Sequence, residues 1–136
     1  MRVVLDTNVL VSGLMSPHGP PATVVDLVGS GTLRVCFDGR ILEEYHDVLA
    51  RPRLGLESAD VETVLARLAS NGIRVAPRPV DTVLPDPDDQ PFLEVALAAE
   101  ADYLVTGNQR HFPADLCRGI AVVTPRGFVT ATRTGQ

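Results

Sequence analysis

Short, mainly apolar runs alternate along this chain with stretches in which apolar residues return every three or four positions. The runs are Val3-Val4-Leu5, Leu33 to Phe37, Ile73 to Ala76, Tyr103 to Thr106 and Ile120 to Thr124. Runs this short with no polar alternation are expected of strands covered on both faces, as in a parallel sheet. Between them lie helical patterns. Val9, Leu10, Val11 and Leu14 follow the first run, and Ala22 to Val28 is stopped by Gly29 and Gly31. Gly39 to Arg51 has Asp38 as its cap and Pro52 as its end. Ser58 to Ser70 places Val61, Val64, Leu65 and Leu68 on one face before the Asn71-Gly72 stop, and a last helix covers about Asp89 to Glu100. Ser16 to Pro21 and the Pro-rich Pro77 to Pro87 read as loops. Strands alternating with helices imply parallel pairing and right-handed crossovers, hence an α/β fold. The pattern contains no internal repeat and no linker. A single domain over residues 1–129 is expected, with a flexible tail from Thr130 to Gln136.

Composition narrows this picture without redirecting it. At 136 residues, 45% hydrophobic and 21% charged, the chain has an ordinary globular balance and enough length for a proper core. No apolar run approaches the ~20 residues of a membrane span. The N-terminus lacks the basic region, hydrophobic stretch and cleavage site of a signal peptide. Cys36 and Cys117 make neither a disulfide framework nor a zinc site, so the cytosol is the expected compartment. The formal net charge of −5 argues against broad electrostatic binding of nucleic acid. That argument weakens if several acids form one cation-binding cluster, because a bound metal inverts the local charge. All twelve basic residues are arginine, whose planar fork suits phosphate.

The acids are placed with purpose. Asp6 follows the first apolar run directly, so it stands at the carboxyl end of a strand, where open α/β sheets keep their ligand crevices. Capping of the next helix is the plainer use of an Asp there. In the Gly39–Arg51 helix, Ile41, Leu42, Tyr45, Val48 and Leu49 form the apolar stripe. At ~100° per residue Glu44 borders that stripe, where a boundary residue reaching out to water is the plainer reading, whereas Glu43 faces away with Arg40 and Asp47. Asp86-Pro87-Asp88-Asp89-Gln90-Pro91 is denser in acid than a turn needs. Helix-dipole and cap roles account for roughly one of its aspartates. Carried back from Phe92, Leu93 and Ala96, the helical phase puts Asp89 at the centre of the buried face and Asp88 at its edge. An ionised carboxylate there is costly without a cation, and the segment holds no Lys or Arg. Thr106 and Asn108 end the fourth strand as Asp6 ends the first, with Gly107 allowing the turn between them. Asp6, Glu44 and Asp89, with Asn108 beside them, are hard oxygen donors that suit Mg²⁺ or Mn²⁺. Such an ion acidifies its water and stabilises charge on phosphate oxygens, the requirements of phosphodiester cleavage.

Four segments in order then make a resemblance. Val4-Leu5-Asp6-Thr7-Asn8-Val9-Leu10, Ile41-Leu42-Glu43-Glu44-Tyr45-His46-Asp47-Val48-Leu49, Asp86-Pro87-Asp88-Asp89-Gln90-Pro91-Phe92-Leu93-Glu94-Val95-Ala96 and Ala101-Asp102-Tyr103-Leu104-Val105-Thr106-Gly107-Asn108-Gln109-Arg110-His111-Phe112 resemble the motifs of PIN-domain ribonucleases, in the VapC-like toxin branch. The likeness covers nearly the whole chain. It implies a three-layer α/β/α fold on a mostly parallel sheet of about five strands. It also implies a Mg- or Mn-dependent endoribonuclease that acts as the toxin of a toxin–antitoxin pair, forms a homodimer and is silenced by a cognate antitoxin. By the same resemblance Asp6, Glu44 and Asp89 hold the metal. Asn108 joins them in catalysis, and Thr7, Asn8, Thr106 and Asp86 support them. The family often has Asp where this chain has Asn108, which leaves three carboxylates instead of four and puts a second tightly bound metal in doubt.

Other chemistries find no footing. Phosphate-binding glycine loops and the serine-hydrolase elbow are absent. A phosphoacceptor receiver domain needs a strand-end Lys, and the chain has no Lys. His46 is expected at the surface; His18 and His111 lie nearer the cleft rim, where phosphate contact is open to them and to Arg110, and Arg40, Arg51 and Arg53 offer a small basic edge, although a solvated charge is the plainer reading of each. The competing function is a catalytically weak PIN-fold module that binds RNA or a protein, a reading kept alive by Asn108 and the net acidity.

Overall fold

The strand carrying Asp6, β1 (Arg2–Leu5), is the middle strand of the sheet. The computed structural model describes residues 1–134. β1 pairs in parallel with β2 (Arg34–Phe37) on one side and β4 (Tyr103–Val105) on the other. β3 (Ile73–Arg74) and β5 (Val122–Val123) complete the order β3-β2-β1-β4-β5, parallel throughout. Val3, Val4 and Leu5 have no exposed surface, which explains why this strand lacks polar alternation: helices cover both faces.

Six α-helices make the outer layers of this α/β/α sandwich: α1 (Thr7–Met15), α2 (Pro20–Gly29), α3 (Gly39–Leu49), α4 (Ser58–Asn71), α5 (Gln90–Ala99) and α6 (Pro125–Thr134). α5 packs on β1, β2 and β4, whereas α2 packs against α1, α4 and α6. None is long and apolar enough to cross a membrane. The end of α4 passes so close to β2 that a Cβ on Gly72 would lie 2.5 Å from the carbonyl oxygens of Leu68 and Val35. No other residue fits there, which is why Asn71-Gly72 stops the helix.

The differences from the sequence reading fall at ends. α2 begins at Pro20 because two prolines suit the first helical positions, where no N–H is required. β3 and β5 are shorter than their apolar runs. The largest difference is at the C-terminus. Within the Thr130–Gln136 stretch expected as a flexible tail, Thr130 to Thr134 continue α6, and residues 135 and 136 lie outside the described residues. Thr124 Oγ1 accepts from the Gly127 N–H at 3.0 Å at the start of α6. Phe128 is fully buried, its ring edge-on to Tyr103 with centroids 5.5 Å apart. Phe128, with Val129 packed against the core beside it, thus anchors this helix.

Candidate active site

The carboxyl ends of β1 and β4 lie side by side, so the residues that follow each strand meet. Asp6 takes over the ladder, its N–H donating to Val105 O at 2.9 Å, and its side chain is 6% exposed. Thr106, fully buried, donates from Oγ1 to Asp6 Oδ2 at 2.8 Å and accepts from the Asn108 N–H at 3.0 Å. Burial raises the Asp6 carboxyl above its ordinary value, opposed chiefly by the Thr106 hydrogen bond.

α3 delivers Glu44 to the same place. Asp38 caps the helix, its Oδ1 accepting from Ile41 N at 3.1 Å. Tyr45, fully buried, donates its hydroxyl to Leu5 O at 2.6 Å and so fastens α3 to the end of β1. Glu43 is exposed and Glu44 half-buried, the split set by helical phase, and Glu44 accepts a hydrogen bond from the Thr7 hydroxyl. Tyr45 was legible only as an apolar-stripe residue, although a buried phenol always requires a partner for its O–H.

The acid-rich segment divides its aspartates among three tasks. Asp86 caps a 3₁₀ turn over Pro87–Asp89, its Oδ1 accepting from Asp88 N at 2.9 Å. Asp88 is exposed. Asp89, 8% exposed, points inward, and α5 starts one residue later than its apolar phase suggests. Burial, then repulsion from Asp6, Asp86 and Glu44, raises the Asp89 carboxyl to about 6, with His111 pulling the other way. Among the described residues its Oδ2 is a buried atom with no hydrogen bond, although His111 Nδ1 lies 3.0 Å away.

These groups line one cleft of about 410 Å³, which takes in Asp6, Thr7, Asn8, Glu44, Asp86 and Asp89. His111, Arg51 and Arg53 lie on its walls; Arg40 does not, being bound between Asp38 and Glu94 at 2.8 and 2.9 Å. Thr106 supports the cleft from behind. Asn108 is exposed and outside the lining; its Oδ1 accepts from Arg110 N at 3.2 Å and caps a 3₁₀ turn over Gln109–His111. His18 and His46 are exposed and also outside it.

The donor set fits a hard divalent cation. Asp6, Glu44 and Asp89 line the cleft with carboxylate oxygens, and the buried Asp89 Oδ2 has no hydrogen bond, with His111 beside it. The PIN domain model matches residues 2–110, a span that includes all of these acids. The chain belongs to the PIN domain family. It is also 29% identical over 113 residues to the uncharacterized protein MJ1680 of Methanocaldococcus jannaschii, covering 80% of this chain and 72% of that one. PIN domains are generally metal-dependent nucleases, and in this PIN domain the ligand atoms of Asp86, Asp89 and His111 cluster closely enough that they could hold a metal ion.

Proposed function

We propose that this PIN domain is a Mg²⁺- or Mn²⁺-dependent endoribonuclease that hydrolyses RNA phosphodiester bonds. The observation that carries the reading is the convergence of Asp6, Glu44 and Asp89, from three distant segments, on one cleft in which a buried Asp89 oxygen has no hydrogen bond. Bound there by these three carboxylates, a divalent ion would supply an acidified water and neutralise charge on the phosphate. The protein's own residues do the rest. Thr106 and Thr7 hold the Asp6 and Glu44 carboxylates in fixed orientations. Arg51 and Arg53 bring positive charge to a cleft that would otherwise repel RNA. Asn8 and Asp86 border the same space, and Asn108 acts at one remove through the turn it caps.

The finer reading is a toxin of a toxin–antitoxin pair, working in the cytoplasm as a homodimer and silenced by an antitoxin that covers the cleft. It rests on the four motifs that resemble the VapC-like branch. Its cheapest check is a short neighbouring reading frame whose product co-purifies with this chain and blocks cleavage. For the enzyme itself, RNA cleavage in Mn²⁺ is compared among wild type, Asp6→Asn and Asp89→Asn. Cleavage lost in both variants supports the nuclease. RNA binding without cleavage in all three supports instead a catalytically weak binding module.

A further inference from the structure

We propose that His111 is a metal ligand, acting with Asp89 and Asp86, and that its nitrogen makes the cleft prefer Mn²⁺ or a later first-row divalent ion over Mg²⁺. The proposal rests on the cation reading of the cleft given above. It adds a donor from the 3₁₀ turn after β4.

Three observations carry it. The ligand atoms of Asp86, Asp89 and His111 all lie within 4.8 Å of one another. His111 Nδ1 is 3.0 Å from Asp89 Oδ2, yet that oxygen is buried with no hydrogen bond, so the two atoms are close without the alignment of an N–H···O contact. Adjacent donors on an octahedral ion with bonds of ~2.1 Å lie about 3.0 Å apart, and opposite donors about 4.2 Å. The 3.0 Å separation of the His111 and Asp89 atoms matches that of two neighbouring donors on one ion.

The turn is built to present this side chain. Asn108 Oδ1 accepts from Arg110 N and Asn108 N donates to Thr106 Oγ1, whose own proton goes to Asp6. His111 is therefore tied through two residues to another acid of the cleft, and buried Phe112 anchors the turn at its exit. The imidazole remains 42% exposed, open to an arriving ion. A neutral imidazole nitrogen suits transition metals, whereas Mg²⁺ favours oxygen donors and retained waters. Asn108, without charge, has become the residue that places His111.

The test uses the metal-free full chain and Mn²⁺ alone. Pulsed electron paramagnetic resonance detects a directly bound nitrogen as hyperfine modulation, and titration gives the Kd. The expected result is nitrogen modulation in wild type that disappears in His111→Ala. The same change weakens Mn²⁺ at least ~10-fold and weakens Mg²⁺, measured by competition, by much less. His18→Ala, in a residue outside the cleft, keeps the modulation. Mn²⁺ bound without nitrogen modulation, or with unchanged Kd in His111→Ala, overturns the proposal and leaves the carboxylate site standing. Failure of wild type to bind Mn²⁺, or equal binding by Asp89→Asn, overturns both.

Discussion

Two groups of buried carboxylates share this small domain and are treated in opposite ways. Asp38 and Glu94, 8% and 6% exposed, grip the Arg40 guanidinium; the second Glu94 oxygen also accepts from Val80 N at 3.2 Å. Every charge there has a partner. Asp6 and Asp89, 6% and 8% exposed, face Glu44 and Asp86 across a cleft, and Asp89 keeps an oxygen with no hydrogen bond. The first group fastens the Asp38 cap of α3 to α5 and to the loop before Asp86. The second holds together only because the surrounding fold imposes it. A charge paired inside the protein is structural; buried charges left to repel one another call for a cation from outside.

The largest effect that separates the groups is on cleavage. Asp89→Asn and Asp6→Asn should each reduce Mn²⁺-dependent RNA cleavage by at least ~10³-fold, since a metal ligand governs several kcal/mol of transition-state stabilisation. Arg40→Gln should leave the chemical step in place. Single-turnover cleavage with labelled RNA measures both. A large loss of kcat in Arg40→Gln at a temperature where it is folded would erase the distinction.

Stability should respond with opposite signs. Arg40→Gln strands two buried acids and should lower unfolding free energy by about 1–2 kcal/mol, less than for a fully buried pair because the guanidinium is half exposed. Asp89→Asn removes a carboxylate penalised first by burial and then by repulsion, and should raise the stability of the metal-free protein at pH 8 by on the order of 2 kcal/mol. Urea unfolding in chelator reads both; two losses of equal size would contradict the comparison.

The pH dependence follows from the same carboxyl. Its folded value, about 6, lies above the ordinary 3.8, so the folded state binds more protons than the unfolded state between them. The stabilisation from protonated Asp89 is complete below pH 3.8 and lost as pH rises through about 6. Metal-free wild type should therefore lose stability over that window relative to Asp89→Asn. Ligand stabilisation reads the same carboxyl from the other side: Mn²⁺ at 100 times its Kd should add ~2.7 kcal/mol to wild type, raising the Tm by several degrees, and add nothing to Asp89→Asn. A Tm shift equal in both would place the ion elsewhere.

How legible all this was depends on how local each cause is. Asp6 and Glu44 could be placed because strand ends and helical phase are set by a few neighbouring residues. Asp89 could be placed because its stripe continues through Phe92, Leu93 and Ala96. The parallel sheet followed from apolar runs too short and continuous for anything else. What escaped depended on partners far along the chain. Glu94 is a buried acid within an apolar face, and nothing nearby reveals that Arg40 reaches it. Helix α6 hangs on Phe128 against Tyr103, 25 residues apart in sequence. Asn108 reads as a strand-end site residue; His111 could be placed near the cleft rim, but that Asn108 caps the turn presenting it, and stays outside the cleft itself, could not be read.

Anomalous diffraction from crystals soaked in Mn²⁺ tests the central claim most directly. A manganese peak bonded to Asp89 and at least one of Asp6 and Glu44, with none between Asp38 and Glu94, is the expected result. A cleft without a peak at millimolar Mn²⁺, its carboxylates instead bonded to protein groups, would contradict it.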